Sequence, residues 1–152
     1  MQTSTADPAL HHIETEEELR ACLPLMRELR PHLADADDFT ARIRRMRDQS
    51  YRLLAGNDGG KPVALAGYRY QENLIYGRFL YVDDLVVDAT RRGGRWGARL
   101  LHALDGIARE AGCAKLVLDT GLANSMAQRF YFRQGLLSQG LHFSKNLDTT
   151  TA

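Results

Sequence analysis

Between Leu85 and Leu101 the chain stops one regular element and starts another with almost nothing between them. Leu85-Val86-Val87 ends an apolar run that begins at Arg78. Asp88-Ala89-Thr90-Arg91-Arg92-Gly93-Gly94 then turns, and a helix is predicted from about Arg95 to Ala111. Its apolar residues (Trp96, Leu100, Leu101, Leu104, Ile107, Ala108 and Ala111) form one broad stripe, and Gly112 supplies its stop. Lys115 to Leu118 follows as a short apolar strand. A strand, a glycine-rich turn, an amphipathic helix and a second strand confine the chain to a mixed α/β architecture. At the turn the first N–H groups of the helix and the positive end of its dipole converge, with arginines beside them. That is a place for a phosphate or pyrophosphate. A lone Gly-Gly is also compatible with an ordinary tight turn.

The rest of the chain supplies the other elements. A short strand is predicted from Ala9 to Ile13. Thr15 and Glu18 then form a capping box, and Leu19, Cys22, Leu23, Met26 and Leu29 recur at helical spacing. Pro24 falls inside this pattern, so a kink or an interruption is expected there, and Pro31 ends the helix. A second helix is expected from about Asp38 to Arg47, its arginines read as a solvated face. Strands are read over Tyr51 to Ala55, Pro62 to Gln71 and Arg78 to Val87, the first two separated by the turn Asn57-Asp58-Gly59-Gly60. Asn124 to Gln134 reads as a helix stopped by Gly135, and Leu136 to Leu147 as a last strand. Residues 1–8 read as a flexible tail, residues 9–148 as one domain, and the end from Asp148 as frayed.

With 152 residues, 44% of them hydrophobic and 26% charged, the chain has material for one real core. A formal net charge of +1 gives no global field toward nucleic acid or a membrane, so neither is an expected partner. No apolar run reaches the length of a membrane span. Two cysteines, Cys22 and Cys113, make neither a disulfide framework nor a zinc cluster. Adjacent His11 and His12 point to opposite faces of a strand and so do not chelate, and no metal is expected. Met1 to Pro8 has no positive region followed by an apolar stretch, so no signal peptide is read and a cytoplasmic location is expected.

The turn lacks Gly-Lys-Ser/Thr, and its glycine spacing fails the dinucleotide fingerprint. It resembles instead the coenzyme A loop of the GNAT N-acetyltransferases, Leu-x-Val-x-Pro-x-x-Arg-Gly-x-Gly-hydrophobic-Gly/Ala followed by paired aliphatics. Leu85, Val87, Arg92, Gly93, Trp96, Gly97, Leu100 and Leu101 fall in register without gaps. Ala89 stands where proline is common, and Arg95 where the first glycine of the core pair is usual. Asn124, Ala127 and Phe130 to Leu136, with Tyr131 at its centre, resemble the family's second signature, with Leu136 for the usual Phe.

The resemblance implies a GNAT fold: a central mixed, mostly antiparallel sheet flanked by helices, with two parallel strands that splay into a V. It implies acetyl-CoA as donor, an amine of a small molecule or protein as acceptor, and direct transfer without an acyl-enzyme. Main-chain groups of Leu85, Val86 and Val87 then hold the pantetheine arm and polarise the thioester carbonyl. Arg92, Gly93, Gly94, Arg95, Trp96, Gly97 and Ala98 hold the pyrophosphate, and Asn124 and Ala127 also touch the donor. Tyr131 matches the family's acid for the leaving thiolate. A base is sought among Asp84, Asp83 and, behind them, Glu72; strand alternation puts Asp83 and Asp84 on opposite faces, so one faces the cleft. A homodimer is plausible by family habit. Two other readings stay open, an acyl-CoA-binding module without turnover and a regulatory protein that keeps only the fold.

Overall fold

The computed structural model describes residues 6–148. By contact density the chain divides into two compact units, residues 1–118 and 119–152. The first contains a five-stranded sheet in the order β1-β2-β3-β4-β5: β1 Leu10–His12, β2 Arg52–Asp58, β3 Lys61–Asn73, β4 Gly77–Val87 and β5 Lys115–Leu118. The first three ladders are antiparallel and β4 pairs with β5 in parallel, as the fold class expects.

Helices cover both faces. α1 (Glu16–Leu29) and α2 (Ala36–Arg47) pack with Leu53, Ala55, Leu65 and Val86 in one buried cluster. Gly56 has the opposite phase to Ala55, and against it lies Trp96 at the head of α3 (Trp96–Glu110). A Cβ at Gly56 would come within 2.7 Å of the Trp96 ring, so this glycine is what lets the helix dock there. Because both faces are covered, the middle of β3 from Val63 to Tyr68 is buried without alternation.

Local chemistry sets the boundaries. Thr15 and Glu18 complete the predicted capping box at α1. Helix α1 then runs through Pro24 without the predicted interruption, its buried residues Leu23, Leu25 and Met26 holding the turn around the proline by tertiary packing. α2 starts two residues earlier than its pattern suggests because Asp35 caps it, accepting from the Asp38 N–H at 2.8 Å. The turn after β4 is a 3-10 helix, Ala89–Gly94.

Residues 1–5 of the expected tail, and 149–152 of the expected frayed end, lie outside the described residues. Asp7 is pinned by a two-pronged ion pair from Arg99, both contacts at 2.7 Å. The second unit contains α4 (Ser125–Arg133), capped by Asn124. The predicted last strand is not formed: no residue from Leu136 to Asp148 is paired in a sheet. Its alternating apolar residues Leu137, Leu141, Phe143 and Leu147 are exposed. Alternation equips a segment for a half-buried strand, but pairing also needs a neighbouring edge, and none pairs with it among the described residues. No described helix is long and apolar enough to cross a membrane.

Candidate active site

The ladder between β4 and β5 stops early. Its last pair is Val82 with Leu118, so β4 continues from Asp83 to Val87 with no β5 partner along that edge. The direction of the main chain there follows from one bond. The Asp88 N–H donates to Val63 O at 2.8 Å, toward β3. Alternation turns the groups of Val86 the same way and those of Leu85 and Val87 outward, into the gap. Two strands that begin paired and then part produce the expected opening.

At the end of this edge the 3-10 turn delivers the chain to α3. Asp88 caps the turn, accepting from Thr90 N–H at 2.9 Å and Thr90 Oγ1 at 2.8 Å, and these bonds hold its carboxyl below the usual range. Arg91 reaches across to Asp58, while Arg92 and Arg95 are exposed. Arg95 has φ 60° and ψ 21°, the left-handed region, and gives α3 no side-chain cap. The family pattern has glycine at this position, and the backbone angle is the reason. Trp96 turns its ring inward onto the sheet, under the Arg99 guanidinium at 4.1 Å, so it meets the gap with its main chain. Gly97 and Ala98 follow in the first turn of α3, where helix N–H groups point outward.

The face of the sheet under α1 and α2 holds the carboxylates. Here sequence alternation is overturned. Gly67 pairs with Asp84 and Tyr68 with Val82, so Asp83 is an extra residue in β4, a bulge. As a result both carboxylates join one cluster instead of opposite faces. Asp84 accepts from Tyr51 Oη at 2.7 Å and from Arg30 Nε at 2.9 Å. Asp83 accepts from Arg69 Nε at 2.9 Å, and Arg69 lies over the Tyr51 ring. Arg30 also donates to the Asp83 carbonyl at 2.8 Å. Burial pushes the Asp83 carboxyl above its ordinary value, with Arg69 opposing. Burial raises the Tyr51 phenol well above its range, so it stays a donor. Glu72, the weaker alternative, faces Arg78 in the ladder, beyond the cluster.

Arg30, Tyr51 and Arg69 were not singled out in the sequence. Gly67 was their signal, a glycine inside a strand: a Cβ there would collide with Tyr51 Oη and lie 2.9 Å from Asp84 Oδ2. Beside this cluster a pocket of about 250 Å³ opens between α1, α2, Tyr51 and Asp84.

In the second unit Asn124 spends its side-chain oxygen on the cap of α4, accepting from Ala127 N–H at 3.1 Å. Tyr131 is half-buried on α4, its ring tilted against Phe130 at 5.4 Å, and burial raises its phenol.

Comparison with known proteins agrees with this geometry. Residues 10–136 match the model of the acetyltransferase (GNAT) family. The chain is similar to an uncharacterized N-acetyltransferase of Bacillus subtilis, 31% identical over 80% of this chain and 86% of that protein. It is also similar to the aminoalkylphosphonate N-acetyltransferase of Salmonella typhimurium, 32% identical over 64% of this chain and 62% of the relative. In fold it is similar to an aminoglycoside N-acetyltransferase solved in complex with coenzyme A, with a TM-score of 0.80, 14% identity and coverage of 91% and 94%. An early-ending parallel ladder, a loop in register with the coenzyme A signature and a family match over most of the chain lead to one assignment: the protein belongs to the GNAT family of acetyltransferases.

Proposed function

We propose that this acetyltransferase moves the acetyl group of acetyl-CoA directly to the nitrogen of a small amine, with the donor lying in the gap beside β4. The observation that carries this reading is the end of the β5 ladder at Val82, which turns the main chain of Leu85 and Val87 toward the gap. An outward N–H there meets the thioester carbonyl and stabilises the developing oxyanion. Val86 keeps the strand in place through β3. The pyrophosphate lies on the 3-10 turn and the head of α3, from Arg92, Gly93 and Gly94 through Arg95, Trp96, Gly97 and Ala98. Arg92 and Arg95 supply charge, and the others supply main-chain N–H groups.

The amine nitrogen attacks the carbonyl carbon, forming the N–C bond. The C–S bond breaks as the tetrahedral species collapses. One amine proton passes to a carboxylate and the departing thiolate takes one from an acid, the role the family resemblance gives Tyr131, whose raised phenol is protonated at neutral pH. We assign the base to Asp83 ahead of Asp84. Asp84 has both oxygens engaged, by Arg30 and Tyr51, whereas Asp83 is bonded through one oxygen to Arg69 and burial raises its carboxyl. The free thiols Cys22 and Cys113 suit a reducing, cytoplasmic setting. The exposed Leu141 and Phe143 suit a homodimer, to be read by sedimentation at increasing concentration.

Thermal unfolding with and without acetyl-CoA tests the reading, since a ligand that binds only the folded state raises the midpoint. A rise is expected, lost in Gly97→Val, together with thiol release when amines are added. A rise without thiol release for any amine leaves a coenzyme A-binding module, and no rise removes the donor site.

A further inference from the structure

The pocket beside Asp84 has a charge pattern that selects among amines. Its floor is apolar, with Met26, Phe39 and Ile43 buried. Its charged lining is Arg30, Arg42 and Asp84, so two guanidiniums outnumber one carboxylate, and His32 adds a further donor. We propose that the acceptor is a small primary amine that also carries one anionic group, a carboxylate or phosphonate, set off by a short apolar stem. The proposal rests on the acetyl-transfer reading and deepens it.

Three observations converge. Asp84 lies next to Leu85 and two residues past the last β5 pair, so an ammonium docked on it sits beside the gap where the donor lies. Arg30 and Arg42 remain 41% and 46% exposed, open to a ligand from the pocket mouth. Arg42 pairs, among the described residues, with Asp38 one turn back, an exposed ion pair and a weak tether. Arg30 holds the place of the ammonium while the pocket is empty, through its 2.9 Å bond to Asp84. When the amine takes over Asp84, Arg30 exchanges its carboxylate for the anion of the acceptor, so no guanidinium loses a partner. A polyamine or a lysine-rich peptide offers Arg30 no anion in exchange for Asp84.

The test is acetyl transfer from acetyl-CoA by the full chain to three matched pairs: β-alanine against β-alaninamide, phenylalanine against phenylalaninamide, and aminoethylphosphonate against propylamine. The expected result is a kcat/KM at least about tenfold higher for the anionic member of a pair, the scale of one charge-assisted hydrogen bond. The carboxylate and phosphonate pairs tell the two anions apart. Arg42→Gln, which leaves Arg30 as the remaining guanidinium, should lower that ratio several-fold while keeping the midpoint rise with acetyl-CoA, and Arg45→Gln, on the same helix but outside the pocket, should keep the ratio. Neutral members that match or exceed the anionic ones overturn the proposal. So does a preference undiminished by Arg42→Gln, or no transfer to any of the amines by a protein that acetyl-CoA still stabilises. In each of these cases donor binding stands. Loss of the acetyl-CoA response in the unaltered protein takes both readings down.

Discussion

Asp83 is the residue on which the proposed chemistry turns, and it is also the extra residue of the bulge. As the base it must be ionised, and burial raises its carboxyl. Activity should therefore fall as pH drops through that raised value, in addition to the loss from protonation of the amine itself. A plot of log kcat/KM against pH should steepen on its acid side. Asp83→Asn should remove the extra slope and lower kcat by about 10²–10⁴-fold. Arg95 makes a different prediction. Its left-handed backbone costs about 1–2 kcal/mol for a residue with a Cβ, partly offset because glycine makes the unfolded chain freer by about 0.4–1 kcal/mol. Arg95→Gly should then hold or raise the unfolding midpoint while weakening coenzyme A several-fold by calorimetry, separating a phosphate contact from a folding role. At this scale the sequence was legible where backbone need and residue type coincide. The end of β4 at Val87 and the start of α3 at Trp96 could be read, but not the 3-10 turn between them or the left-handed backbone of Arg95. The pairing of Asp83 with Arg69 and of Asp84 with Arg30 and Tyr51 could not, because a bulge breaks the period-two rule that assigns faces.

Elements were legible where a local signal ended them. The capping box of Thr15 and Glu18, the stripe of α3 and the stop at Gly112 all lie in neighbouring residues. The Pro24 and Leu136–Leu147 readings failed for the opposite reason, since tertiary packing decides the first and a pairing edge decides the second. Pro24 is exposed in the interior of α1, where it lacks the N–H that would bond the Arg20 carbonyl. Pro24→Ala should restore that bond and stabilise the protein by about 1–3 kcal/mol, a midpoint rise of about 2–4 °C for each kcal/mol. The approach to β1 is tied to α3 by Asp7 and Arg99. The hydrogen bond from Arg99 lowers the Asp7 carboxyl below its ordinary value of 3.8. A depressed carboxyl stabilises the fold above its unfolded value and loses that contribution as pH falls through the folded one. Thermal melts between neutral pH and the range below 3.8 should show this loss, and Asp7→Asn should flatten it.

For the whole molecule, β4 organises the sheet-bearing unit. Its edge from Leu85 to Val87 lines the gap assigned to the donor, and its α1/α2 face carries the carboxylates assigned to the acceptor. That division was half visible in advance. The edge follows from where two strands stop pairing, which the family signature implies. The pocket is assembled from α1, α2 and Tyr51, which meet only through the fold. The alternation of main-chain groups along β4 leaves a trace in isotope exchange. The amides of Val86 and Asp88 point to β3 and should exchange deuterium slowly at all times, while those of Leu85 and Val87 point to the gap and should exchange fast. Within β4, acetyl-CoA should slow Leu85 and Val87 and leave Val86 unchanged, so that donor binding is written in the strand as a comb in which every second tooth is already protected.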